Sequence, residues 1–219
     1  MSRLLVLVIA TTALIPTHGN NRPAPAEAID TEIMGSEATD AGLTDGPVSP
    51  MSSSEPMVLF DFDGADTAQW SIENDGVMGG RSEGFVEVAG GTLVFTGEVV
   101  TEGGGFSSVR AALQTDISSY DGIELRVRGG GRTFELDVDD GTESRGREVN
   151  RRGPVPTSNS WETVRVPFAS LEASAHGEPV RVDPLDRSAV KSIGVYIIDG
   201  QDGPFRLEVD WIRAYREAE

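Results

Sequence analysis

The sequence predicts an all-β fold, a β-sandwich or barrel, for the part of the chain that follows Met57. Short apolar runs in this part alternate with polar residues and are separated by turn dipeptides, a pattern typical of strands that bury one face. No apolar run of a dozen residues has the period of a helix. The 219 residues are enough for one domain of ordinary size with appendages.

The predicted strands follow one another from Met57 to Tyr215. Residues 57–62 open the fold, and residues 85–89 and 92–96 flank Gly90-Gly91 as a hairpin. Alternating runs follow at residues 106–113, 123–128 and 133–138. In the run 161–168, Pro167 ends the strand or places it on an edge. Residues 193–198 are almost continuously apolar and predict a central strand, and the long run 205–215 closes the fold. The stretch 186–191 is short enough to form one helical turn.

We assign this domain to residues 57–217. Two segments precede it. Ser2-Arg3 and the apolar run 4–15 predict a signal peptide over residues 1–19, because the run is shorter than the roughly 20 residues that span a bilayer. If it is not cleaved, it remains as an N-terminal anchor. Residues 20–56 are rich in Ala, Pro, Gly, Ser and acidic residues, and they predict a disordered linker. We therefore expect an exported protein, periplasmic or extracellular.

Composition excludes several kinds of site. The net charge is −18, and residues 57–219 carry −13 of it, from 29 acidic and 16 basic residues. Such a surface repels nucleic acid and anionic lipid headgroups, so neither is an expected partner. The chain has no cysteine, which excludes disulfides and thiol chemistry. Only His18 and His176 are present, so a catalytic triad or a multi-histidine zinc site has little to build on.

The stretch 70–82 is too irregular for a strand and too rich in glycine for a helix, so it predicts a shaped loop. Asn74, Asp75 and Gly76 supply one turn and Gly79-Gly80 a second, with Met78 between them. Two interpretations stay open. The loop packs Met78 over a sheet edge, or it offers a contact surface for a ligand or a protein.

Other charged and glycine-rich positions have ordinary structural explanations. Arg110 shares a predicted strand face with Phe106 and Ser108, and it either pairs with a carboxylate or binds an anionic or hydroxyl-rich ligand. The glycine triplets at 103–105 and 129–131 lack the lysine and helix of a phosphate-binding loop, so turns explain them. With 36 acidic residues, some carboxylate pair always has a glycosidase-like separation, and such pairs indicate nothing.

Five blocks of sequence in the same order resemble the complex I intermediate-associated protein 30 family. They begin with Asn74-Asp-Gly-Val-Met-Gly-Gly-Arg-Ser82 and Gly103-Gly-Gly-Phe-Ser-Ser-Val-Arg110, and continue at residues 120–132, 161–168 and 198–212. The resemblance covers nearly all of residues 57–215. It implies a galactose-binding-domain-like jelly roll, similar to carbohydrate-binding modules, and a role as an assembly chaperone for respiratory complex I in the eukaryotic members. It also makes Asp63 with Asp210 a candidate pair for a structural calcium, although the acidic composition favours solvated carboxylates at these positions. The export-type leader and acidic linker depart from the mitochondrial pattern.

These observations favour a non-catalytic domain with no cofactor and no catalytic or metal-binding residues. We expect it to bind a protein partner in the cell envelope as an assembly or chaperone-like factor. The alternative is a carbohydrate-binding module that holds a glycan. The predicted contact residues are Trp70, Asn74, Asp75, Met78, Arg81, Phe106, Ser108, Arg110, Asp199 and Gln201.

Overall fold

The structure is a computed structural model, and it describes residues 55–64 and 68–217. The predicted signal peptide and almost all of the predicted linker lie outside the described residues. The side chains of Val77 and Met78 lie outside them as well.

Fifteen strands make up nearly all of the regular structure in the described ranges. They are β1 (Met57–Phe60), β2 (Ser71–Asn74), β3 (Glu83–Ala89), β4 (Thr92–Val99), β5 (Ser107–Thr115), β6 (Gly122–Arg128), β7 (Thr133–Asp139), β8 (Glu143–Ser144), β9 (Arg147–Glu148), β10 (Asn150–Pro156), β11 (Glu162–Pro167), β12 (Glu172–Ala175), β13 (Glu178–Pro179), β14 (Val190–Ile197) and β15 (Gly203–Tyr215). Two single-turn 3-10 helices cover Asp75–Met78 and Phe168–Ser170. No helix within the described residues has the length and apolar character needed to cross a membrane.

The strands form two antiparallel sheets and a small ribbon. The six-stranded sheet has the order β11-β6-β15-β4-β3, with β1 also paired to β15. The seven-stranded sheet has the order β13-β12-β10-β7-β14-β5-β2, and β8 pairs only with β9. Because every pairing is antiparallel and both sheets contribute buried residues to one hydrophobic cluster, the predicted β-sandwich is confirmed.

Alternation along the strands decides which side chains enter the core. In β6, Ile123, Leu125 and Val127 are fully buried, while Arg126 between them is exposed. In β14, Val195 and Ile197 are buried in the same cluster. The prediction of a central strand at 193–198 is confirmed, because β14 lies between β7 and β5. The hairpin around Gly90-Gly91 is confirmed by the pairing of β3 with β4.

The stretch 70–82 is more regular than the sequence indicated. The prediction of a loop throughout is wrong, since Ser71–Asn74 forms β2 and pairs with β5 at the edge of the seven-stranded sheet. Four residues beside a partner strand can form a strand without a strong intrinsic strand preference. Here the pairing with β5 and the partial burial of Ile72 stabilise the strand. In the stretch 186–191, residues 186–189 form a turn, with Ala189 N–H donating to the carbonyl of Asp186, and residues 190–191 begin β14.

Candidate functional site

A cleft of about 420 Å³ lies on the outer face of the seven-stranded sheet. Strands β2, β5, β10 and β14 contribute most of its walls. Its lining residues are Glu73, Phe106, Arg110, Glu148, Asn150, Arg152, His176, Gly177, Tyr196 and Ile198. A second groove of about 310 Å³ shares Arg152, Gly177 and Ile198 with it and extends over β12 and β13. The outer face of this sheet therefore offers one continuous concave surface.

Strand register brings the charged groups at the floor of the cleft together. Gly194 is the Cα partner of Arg110 on one side and of Asp137 on the other, and Asp137 is in turn opposite Arg152. The four residues thus form one row across β5, β14, β7 and β10. A Cβ atom at position 194 would lie 3.0 Å from the carbonyl oxygen of Val109 and 3.4 Å from the Cβ of Arg110. Glycine at this position leaves the space in which Arg110 reaches Asp137.

Arg110 is held by three acceptors. Its Nη2 donates to Asp137 Oδ2 at 2.9 Å and to Tyr196 Oη at 3.0 Å, and its Nη1 donates to Glu148 Oε1 at 2.7 Å. The carboxylate partner expected for Arg110 is therefore present, and the expected shared face of Phe106, Ser108 and Arg110 agrees with the alternation of β5. A guanidinium fixed in this way presents a rigid polar surface.

Asp137 is the buried anion of the cleft. Its side chain is 1% exposed, and it lies between Arg110 and Arg152. Burial raises the pKa of Asp137 to about 6; the two guanidinium groups oppose this rise, and Asp139 and Glu148 add to it. Arg152 Nε lies 3.6 Å from Asp137 Oδ1, an ion-pair distance too long for a hydrogen bond.

Aromatic side chains complete the floor. The guanidinium of Arg152 lies over the ring of Tyr196, 3.7 Å from its centroid. The Phe106 ring lies 6.1 Å from the Tyr196 ring. Ile198, at the rim, is 42% exposed. Two arginines face the carboxylates of Asp137, Glu148 and Glu73 here. The cleft therefore combines apolar ring surface with charged groups and suits an amphipathic or hydroxyl-rich group.

Asp75 holds together the stretch that follows β2. It is fully buried, and its carboxylate accepts hydrogen bonds from the N–H and the hydroxyl of Ser82, at 2.9 and 2.6 Å, and from Gly105 N–H at 2.6 Å. Burial raises the pKa of Asp75, but these bonds and one from Phe106 outweigh it, so the pKa lies below its ordinary value. These bonds support a structural role for Asp75, which satisfies backbone N–H groups of the turn.

Glycines pack directly against this carboxylate. A Cβ at Gly80 would lie 2.2 Å from Asp75 Cγ, and one at Gly104 would lie 2.5 Å from Asp75 Oδ2. Residue 104 must therefore be small so that the Asp75 carboxylate fits beside it. The sequence-based interpretation of residues 103–105 as a turn did not include this requirement. Asn74 is tied down next to it, because Ser107 Oγ donates to Asn74 Oδ1 at 2.6 Å.

The predicted contact residues do not form one cluster. Phe106 and Arg110 line the cleft, and Ser108, 1% exposed, lies beneath it. Trp70 is half-buried, with its ring 4.9 Å from the Phe60 ring. Arg81 is exposed and donates to Glu102 at 2.6 Å.

Asp199 and Gln201 belong to a separate turn between β14 and β15. The guanidinium of Arg132 holds Asp199 through two bonds of 2.6 and 2.7 Å and also donates to the Gln201 carbonyl. A contact role for any of the ten predicted residues stays a prediction.

The cleft residues that were not singled out from the sequence as contacts include Asp137, Glu148, Arg152 and Tyr196. Asp137 lies in the alternating run 133–138, and Tyr196 lies in the apolar run 193–198. The signal that unites them is strand register, which one sequence does not reveal.

Within the described part of the chain, no group of three or more His, Cys, Asp or Glu residues gathers to hold a metal ion. Of the candidate calcium pair, Asp210 lies 3.1 Å from Arg126 Nε in an ion pair. The backbone N–H of Asp63 donates to the carboxylate of Asp61.

Comparison with known proteins gives a family and a fold. The family model "Complex I intermediate-associated protein 30 (CIA30)" matches residues 60–209. The mitochondrial Complex I intermediate-associated protein 30 of Mus musculus is 28% identical, over 78% of this chain and 60% of its own length. That of Drosophila melanogaster is 24% identical, over 76% of this chain and 65% of its own length. The chain thus spans less than two thirds of either relative.

Solved structures with similar folds include carbohydrate-binding modules. A family 11 module of a cellulosomal cellulase of Clostridium thermocellum superposes with a TM-score of 0.57 at 15% identity, covering 77% of this chain and 99% of the module. A structure of the family 11 module in complex with a β-1,3-1,4-mixed-linked tetrasaccharide gives a TM-score of 0.56 at 15% identity, covering 75% and 98%. At this identity the similarity shows the fold alone, and it confirms the predicted jelly roll.

Proposed function

We propose that this chain, which belongs to the complex I intermediate-associated protein 30 family, is a non-catalytic domain that binds a protein partner during assembly of a larger complex. The observation that carries the proposal is the family match over residues 60–209, together with relatives that are named for association with an assembly intermediate. Eukaryotic relatives are mitochondrial by name. We place this chain in the cell envelope because residues 1–19 have the composition of a signal peptide.

The cleft on the seven-stranded sheet is the proposed contact site. Its two arginines are neutralised, since Arg110 and Arg152 are paired with Asp137 and Glu148. Groups held in ion pairs support binding by shape and hydrogen bonding better than proton transfer. The exposed Ile198 at the rim supplies apolar area that a partner would cover.

Affinity capture from the cell envelope of the source organism tests this proposal. We expect the wild-type chain to enrich a defined set of proteins, and Ile198→Glu to lose them, because a charge on the rim would be buried without a pair. Val88→Glu is the matched control, since Val88 is 44% exposed, close to the 42% of Ile198, and lies on β3 of the other sheet. No enrichment, or equal loss by both variants, would contradict the proposal.

A second candidate function is glycan binding, and one feature of the cleft favours it. The Phe106 and Tyr196 rings lie beside fixed guanidinium and carboxylate groups, an arrangement that suits sugar rings and hydroxyls. Calorimetry with a β-1,3-1,4-mixed-linked tetrasaccharide tests it directly. Heat that is saturable with the wild-type chain and absent with Ile198→Glu would favour the glycan, whereas no heat together with protein capture would leave the protein partner.

A further inference from the structure

The outer face of the six-stranded sheet carries an unusual concentration of arginine. Outward-facing charged residues on β11, β6 and β15 comprise five arginines and three carboxylates, a local charge of +2 on a chain whose net charge is −18. We call the five arginines the arginine face: Arg126, Arg128, Arg165, Arg206 and Arg213. Strands β3 and β4 beyond it carry exposed Glu83, Glu87 and Glu98, so the positive patch ends there.

Aromatic rings fix the orientation of these arginines. Trp161 lies under the guanidinium groups of Arg128 and Arg126, at 5.1 and 5.9 Å from ring centroid to Cζ. The guanidinium of Arg213 lies 4.0 Å from the Trp211 ring centroid. Each stacked guanidinium keeps its edge N–H groups available for hydrogen bonds, because stacking uses only its face.

Two arginines of the face are accessible and share one carboxylate. The side chains of Arg206 and Arg128 are 58% and 42% exposed, and both contact Glu208, which is 13% exposed. Because two guanidinium groups share this single carboxylate, each keeps further N–H groups that an incoming carboxylate can accept from. Arg213 Nε is buried and has no hydrogen-bond partner among the described residues.

We propose that the arginine face docks a carboxylate-rich segment of a partner protein. Arginine and tryptophan are the residue types that dominate energetically important positions in protein interfaces. Charge complementarity selects the occupant, since this is a net-positive surface on an otherwise acidic chain. The site lies on the sheet opposite the cleft, so it does not depend on the proposed function of the cleft.

The test uses the full chain and a dye-labelled oligoglutamate peptide, with binding read as fluorescence anisotropy. An acidic chain offers such a probe few other places to bind, which keeps the background low. We expect binding that weakens as salt is added, and the double variant Arg128→Glu/Arg206→Glu to bind about tenfold more weakly. The matched control is Arg147→Glu/Arg181→Glu, which changes the net charge equally at exposed positions outside the face.

Three results would overturn the proposal. The first is no binding to the wild-type chain at low salt, and the second is equal weakening in the two double variants. The third is equally tight binding of a DNA oligonucleotide of matched charge, since carboxylate recognition would then be absent. If the face variant fails to fold by circular dichroism, Arg206→Gln alone replaces it, because Arg206 is 58% exposed and its loss leaves no buried group unpaired.

Discussion

Removal of the Asp75 carboxylate should destabilise the fold strongly. Asp75→Ala leaves the N–H groups of Ser82 and Gly105 buried without an acceptor. Each such group costs about 1–3 kcal/mol, so we expect the free energy of unfolding to fall by about 2–6 kcal/mol. Asp75→Asn keeps one acceptor oxygen but turns an amide donor toward one of these N–H groups, so its loss should be intermediate.

Urea unfolding followed by circular dichroism measures these losses, because the midpoint shifts while the slope stays constant if both states keep their compactness. Asp202→Ala is the matched control. Asp202 also accepts from a backbone N–H and a hydroxyl, both of Thr101, at 2.7 and 2.9 Å, but it is exposed. Water can replace an exposed acceptor, so this loss should be much smaller. Equal midpoint shifts for Asp75→Ala and Asp202→Ala would refute the reasoning.

Three further predictions concern the cleft and the response to pH. Gly194→Val should lower the free energy of unfolding by about 1–3 kcal/mol, because the added side chain overpacks the sheet and displaces Arg110. A lower melting temperature would show this, and an unchanged melting temperature would contradict it. Arg110→Gln should raise the pKa of Asp137 above about 6, because an opposing positive charge is lost, and carboxyl NMR titration would disprove this by showing a fall. The pKa of Asp75 is lower in the folded than in the unfolded chain, so its contribution to the free energy of unfolding is present above the unfolded pKa and is lost as pH falls through the folded pKa. Asp75→Asn should therefore make the free energy of unfolding depend less on pH below about pH 4. An unchanged pH dependence argues against this.

Alternation was enough to predict the strands that bury one face. Residues 123–128 and 133–138 alternate without interruption, and both form strands, β6 and β7. Gly90-Gly91 predicted a hairpin correctly because two consecutive residues with positive φ are what a primed turn requires.

Strand β10 shows why other elements were missed. Its sequence Asn-Arg-Arg-Gly-Pro-Val-Pro looks like a turn, since proline has no N–H to donate to a neighbouring strand. In the structure β12 pairs only with residues 150–152, so Pro154 and Pro156 lie where β10 has a single neighbour, β7. Whether proline fits such a position depends on the neighbours of the strand, which only the completed sheet shows.

Of the candidate site, only the residues that are close together in the sequence could be predicted to share a face. Phe106 directly precedes β5 and Arg110 lies four residues later on it, so their shared face follows from a period of two. Asp137 reaches Arg110 across β14, and Arg152 approaches Asp137 from the next strand, β10. These contacts require the register of each pairing. Sequence separation gives no measure of that distance.

The row Arg110, Gly194, Asp137 and Arg152 lies wholly on strands, and this has a consequence for variation. Residues next to Arg110, Gly194 and Asp137 along the chain, such as Val109 and Val195, point the other way into the hydrophobic cluster. Outward positions can therefore diverge between relatives, or be redesigned, while inward positions keep their volume. A change of ligand at this row would require substitution of outward side chains only, because the strands that carry them would stay the same.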